Sequence, residues 1–65
     1  MKCTLRVTNN KYRLKSPKDG LYPLLTLEAM TKHDCKVIES DELIIVEFSN
    51  LSDAEWALSY INNNA

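Results

Sequence analysis

Glycine occurs once in these 65 residues, proline and cysteine twice each, and histidine and tryptophan once each. One glycine excludes the Gly-rich loop that cradles phosphates, and so few turn formers beside 45% hydrophobic residues exclude a low-complexity or disordered chain. His33 lies close to Cys35, but two cysteines and one histidine without a CxxC or HxxxH spacing fall short of a zinc site. No apolar run approaches the roughly 18 residues that a membrane-crossing helix needs, and the N-terminal residues lack a signal-peptide core. The expected setting is therefore the cytoplasm, with Cys3 and Cys35 reduced and packed in the core rather than bridged. No Ser-His-Asp, Cys-His or paired-carboxylate arrangement is present either, so neither an enzyme nor a cofactor is expected.

What the chain does have is charge, unevenly placed. The first 18 residues hold six of the eight basic residues (Lys2, Arg6, Lys11, Arg13, Lys15, Lys18) and no acid. The remaining 47 hold all nine acids against Lys32 and Lys36, so a net −1 conceals formal charges of +6 (six bases, no acid) and −7 (two bases, nine acids). Such polarity bears on partners more than on fold. At this length a single domain buries only about 60% of the surface of its unfolded chain, and a partner or a second copy would add to a small core.

Period-two alternation runs on both sides of Asn9-Asn10 in "CTLRVTNNKYRLKS". Asparagine tolerates positive φ, so a two-residue hairpin turn there sets Val7 against Tyr12 and Leu5 against Leu14 on one face. The other face carries Arg6 opposite Arg13, with Lys11 and Lys15 nearby. After the turn cluster "SPKDG", Pro23 suits the first turn of a helix over about residues 22–33, with Leu24, Leu27 and Thr31 as its core stripe, Leu21 and Met30 flanking, and His33 near its negative end. A second hairpin, Cys35–Ser40 with Leu43–Phe48 around Asp41-Glu42, sets Val37 against Val46, Cys35 against Phe48, Lys36 against Glu47 and Ile38 against Ile45. The last helix carries the pattern of a capping box, Ser52 with Glu55, and of a hydrophobic staple, Leu51 with Trp56. It should begin at Asp53, bury Ala54, Ala57, Leu58 and Ile61, leave Trp56 and Tyr60 outside that stripe, and fray at Asn62.

This order predicts an α+β two-layer sandwich, a four-stranded antiparallel sheet with both helices on one face (ββαββα). If the first hairpin were one strand and a loop, a ferredoxin-like βαββα arrangement would result. Setting Cys3 over Cys35 superposes the hairpins and brings the helices to similar places, as two ββα units would.

"LIIVEF" followed by "SDAEWAL", within Glu42–Ile61, resembles the third strand and second helix of the RNA recognition motif. That resemblance implies a basic residue, a glycine and two base-stacking aromatics on the strand, where this chain has Asp41, Glu42, Leu43 and Ile45. Acids repel phosphate, aliphatic side chains do not stack as rings do, and the family's closing strand is missing. Only the packing pattern is shared, and no functional residue carries over.

The uncovered sheet face is expected to present Arg6, Lys11, Arg13, Lys15 and Lys36 beside Ile38, Leu43, Ile45 and Glu47. With Trp56 and Tyr60 on the last helix, these residues point to a non-enzymatic protein-binding module. Small size and a Lys/Asn/Ile-rich composition fit a regulator or inhibitor, such as a viral product that blocks a host factor or defence complex. The same aliphatic cluster would also suit homo-oligomerisation. The competing expectation is a nucleic-acid-binding module that sets Arg6, Lys11, Arg13, Lys15 and Lys18 against phosphates.

Overall fold

The computed structural model describes residues 2–39 and 41–65; Met1 and Ser40, the last residue of the expected second-hairpin arm, lie outside them. Four strands and two helices follow in the order β1 (Thr4–Thr8), β2 (Lys11–Pro17), α1 (Tyr22–Met30), β3 (Cys35–Glu39), β4 (Leu43–Phe48) and α2 (Leu51–Asn64). The strands form one antiparallel sheet, β1-β2-β4-β3, with two helices against it, which is the expected ββαββα sandwich. Asn9 and Asn10 take φ of 50° and 62°, the two positive values that a tight hairpin turn requires, and the β1–β2 ladder has the expected pairs.

The two ββα units share more than their order. The step that carries Cys3 to Cys35 also carries Leu14 to Val46, and these two lie opposite each other where β2 meets β4. The halves thus meet about an approximate two-fold axis at the centre of the sheet, and both side chains on it are fully buried. Around them Cys3, Leu25, Ala29, Phe48, Ala54, Ala57 and Ile61 complete the core.

Three local expectations are corrected. The bulge in β3 sets Glu39, not Ile38, opposite Ile45, leaving Ile38 as the extra residue. Neither the capping box nor the staple forms, because Asn50, extended at φ −125° and ψ 140°, caps α2 two residues early. The Asn50 side-chain amide donates to Asp53 Oδ2 at 3.3 Å, and Leu51 and Trp56 both fall inside the helix. The end of α2 does not fray at Asn62: helix continues to Asn64, and Asn62 donates through Nδ2 to the Cys3 carbonyl while its Oδ1 accepts from the Cys3 amide, both at 2.9 Å. One amide side chain thereby satisfies both backbone groups of Cys3, the residue just before β1.

The largest correction concerns α1. It ends at Met30, and it buries Leu25, Thr26 and Ala29, while Leu21, Leu24 and Leu27 are 55%, 62% and 58% exposed. Where α1 meets α2, small residues decide the contact: Ala29, Ala54 and Ala57 are all fully buried and let the helices approach closely. Thr26 is held inward by hydrogen bonds, with Oγ1 2.7 Å from the Tyr22 carbonyl oxygen and 2.8 Å from Ser16 Oγ. A carbonyl only accepts, so Thr26 donates to Tyr22 and takes its second bond from Ser16. Leucines on the opposite side of the helix have no comparable claim.

Candidate functional site

The open sheet face is built by alternation. Residues flanking the buried Leu14 and Val46 along β2 and β4 point away from the helices, and this brings Arg6, Arg13, Glu47 and Lys36 into one row across all four strands. Arg6 stands directly across from Arg13, as expected. Arg13 Nε lies 3.5 Å from Glu47 Oε2, and this nitrogen, buried, finds no hydrogen-bond acceptor among the described residues. One carboxylate thus faces three cations, and an acceptor supplied from outside would relieve both the like-charge pair and the unbonded guanidinium N–H.

The next residues along the face are aliphatic. Arg6, Thr8, Arg13, Lys15, Ile38 and Ile45 line a shallow concavity of about 330 Å³. A second concavity, of about 340 Å³, joins Leu43 and Ile45 to Asp41 and Glu42. Ile38 is exposed, whereas Leu43 and Ile45 are half-buried by their neighbours. Lys11 is exposed at the start of β2, opposite Thr8. The face therefore grades from basic at β1 and β2, through aliphatic, to acidic at the β3–β4 turn. None of the six aromatic or imidazole rings lies here: Tyr12 and Phe48 pack against the core, and Tyr22, His33, Trp56 and Tyr60 belong to α1, its exit and α2.

The structure does not bring Trp56 and Tyr60 to that surface. Their rings stack at 5.0 Å with planes 7° apart, and Tyr60 Oη donates to Glu28 Oε2 at 2.6 Å. That bond to a carboxylate raises the pKa of the Tyr60 phenol. Lys32 Nζ sits 5.7 Å from the Trp56 ring centroid. His33 lies beyond the end of α1 rather than in its last turn; Nδ1 faces Asp53 Oδ1 at 3.2 Å, and its ring meets the Trp56 edge at 4.8 Å. These residues clamp α1 and its exit to α2. Nothing in the sequence signalled this joint, because each partner is far from the other along the chain.

Sequence reasoning also missed Ser16 and Thr26, a buried polar pair, and the interhelical clamp itself. Both cysteines are free. Burial pushes the Cys3 thiol up to about 11 in spite of the Ser16 hydroxyl and the Thr4 amide, and Cys35 is raised by burial and by the charges of Asp34 and Asp53. Neither is an activated nucleophile. Among the described residues, no three His, Cys, Asp or Glu side chains converge as metal ligands would, and no helix is long and apolar enough to cross a membrane. No known protein family, curated protein or solved structure matches this chain.

Proposed function

We propose that the protein is a non-enzymatic binding module whose open sheet face docks on an acidic, partly apolar surface of a larger protein. One observation carries the reading: a net-cationic row, Arg6, Arg13 and Lys36 around Glu47, runs directly onto the uncovered aliphatic side chains of Ile38, Leu43 and Ile45. Arginines beside aliphatic anchors suit a protein interface, where the apolar centre excludes water and the charges set orientation. A phosphate backbone would use the cations and leave the aliphatics uncovered. Bases would lack rings on which to stack. A regulator or inhibitor that occludes a partner's acidic surface, including one of viral origin, fits this shape, and two free thiols fit a reducing compartment such as the cytoplasm.

Two experiments test the reading together. Labelled single- and double-stranded oligonucleotides titrated at low salt should give no saturable binding; tight binding that weakens steeply with salt and is lost in Arg6→Glu/Arg13→Glu would favour the nucleic-acid alternative. Affinity capture should then recover a protein with the wild type that is lost both with Arg6→Glu/Arg13→Glu and with Ile45→Asp. Retention of that protein by both variants would show that this face is not the contact.

A further inference from the structure

The strand order β1-β2-β4-β3 leaves two edges, and the chain treats them differently. β3 is bulged at Ile38 and carries Lys36 and Glu39, devices that discourage pairing with a further strand. β1 lacks them: its register with β2 is unbroken from Thr4 to Thr8, it holds no proline, and Arg6 is its one charge. The turn fixes which backbone groups of β1 face outward. With Asn9 and Asn10 both at positive φ, the closing pair Thr8–Lys11 exchanges both of its backbone hydrogen bonds, and alternation then commits Arg6 and Thr4 to β2 as well. Val7 and Leu5 therefore turn their N–H and C=O groups away from the sheet. Cys3, one step further back in the same alternation, bonds Asn62 through both of its groups, so α2 closes the edge there. Among the described residues no strand covers Leu5 and Val7, and the Val7 side chain, on the helix-facing side, is 54% exposed.

We propose that β1 takes up an extended segment of the partner protein as a fifth, antiparallel strand, and that this segment alternates acidic and apolar residues. The inference rests on the protein-binding reading above and specifies how the partner is held. The added backbone bonds the outward groups of Leu5 and Val7, the source of affinity in strand addition. The side chains follow from the pleat. The position across from Arg6 projects onto the open face, next to Arg13 and with Lys11 and Lys15 one strand further in. The first 18 residues contain no acid, so a carboxylate at that position supplies the charge that the hairpin itself lacks. Its two neighbours project to the other side, where an aliphatic residue covers Val7. A second copy of β1 is the wrong occupant. Antiparallel pairing of Leu5 with Val7 of the second copy sets Arg6 directly across from Arg6 and joins two acid-free hairpins.

A labelled peptide of alternating Glu and Val tests this, with a Lys/Val peptide and a Glu/Val peptide N-methylated at its valines as controls. The Glu/Val peptide should bind saturably and both controls at least several-fold more weakly, since one reverses the charge and the other removes the backbone donors. By hydrogen exchange, the peptide should protect the amides of Leu5 and Val7 and leave that of Arg6, already bonded to β2, unchanged. Val7→Pro should weaken binding at least several-fold with an unchanged circular dichroism spectrum, because the Val7 N–H faces outward and proline is tolerated on an edge strand. The proposal is overturned if the Glu/Val peptide does not bind, if the N-methylated peptide binds equally, if Leu5 and Val7 gain no protection, or if the wild type self-associates through an edge that Val7→Pro abolishes. Its failure is separable from that of the open-face reading: a captured protein lost with Arg6→Glu/Arg13→Glu and with Ile45→Asp but kept by Val7→Pro upholds that reading and overturns this one.

Discussion

α1 and α2 occupy equivalent places in two equivalent ββα units, yet only one of them closes its half of the molecule. α2 is amphipathic: Ala54, Ala57 and Ile61 are fully buried, and Asn62 fastens its last turns to the backbone of Cys3. α1 has large apolar side chains on both sides and stops at Met30, and no such side-chain clamp joins it to β3 among the described residues. At the corresponding point of its half, the Cys35 thiol reaches the carbonyl oxygens of His33 at 3.4 Å and Met30 at 3.7 Å, both local along the chain. A shared frame thus fixes where each helix lies, but the residues of its outer face and final turn decide whether that half is sealed.

The sharpest way to break the comparison is to truncate one large side chain on each helix. Ile61→Ala should cost about 2–5 kcal/mol in urea unfolding, since a fully buried aliphatic leaves a cavity, while Leu24→Ala, exposed, should stay within about 0.5 kcal/mol. Next comes the clamp. Asn62→Ala removes both bonds to Cys3 and should cost about 1–3 kcal/mol, with faster amide exchange at the start of β1. The inward anchor of α1 follows. Thr26→Val should destabilise by about 1–2 kcal/mol because it strands the Ser16 hydroxyl, whereas Thr26→Val/Ser16→Ala should recover part of that loss; full additivity in the double-mutant cycle would contradict the hydrogen bond.

A smaller effect is expected from Cys3 in alkali. Its folded thiol ionises near 11 against an ordinary 9.0, so the folded state keeps a proton that the unfolded chain releases. Stability should be unaffected below about pH 9 and fall as pH rises toward 11, and Cys3→Ala should flatten that slope. Least of all is expected from the sheet-face ion pair. Glu47→Gln should change stability by about 0–1 kcal/mol, measured at low and high salt, because the Arg13 side chain remains substantially exposed.

These contrasts also explain what was legible in the chain. Both hairpins follow from period-two alternation, and Asn9-Asn10 states its own turn, so the pairs Arg6–Arg13 and Lys36–Glu47 were readable residue by residue. With them came the basic and aliphatic composition of the open face. Ile38 was misplaced by one position because a bulge adds a residue without changing the composition of the strand. The buried side of α1 was unreadable for a different reason: Leu24-Leu27 and Leu25-Ala29 are both good helical stripes, and the choice depends on Ser16 and on the alanines of α2. Asn62 read as part of a fraying tail because its partner is the backbone of Cys3, which no local pattern announces. That Trp56 and Tyr60 join Glu28, Lys32 and His33 in a clamp between the helices was unreadable likewise, since residues outside a core stripe do not announce what meets them there.

The most direct test of this account is residue-resolved amide hydrogen exchange in dilute protein. The central strands β2 and β4 and the helix α2 should exchange slowest, with α1 and β3 opening at distinctly lower free energy. Equal protection of α1 and α2 would contradict the claim that one half of the molecule is sealed and the other left open.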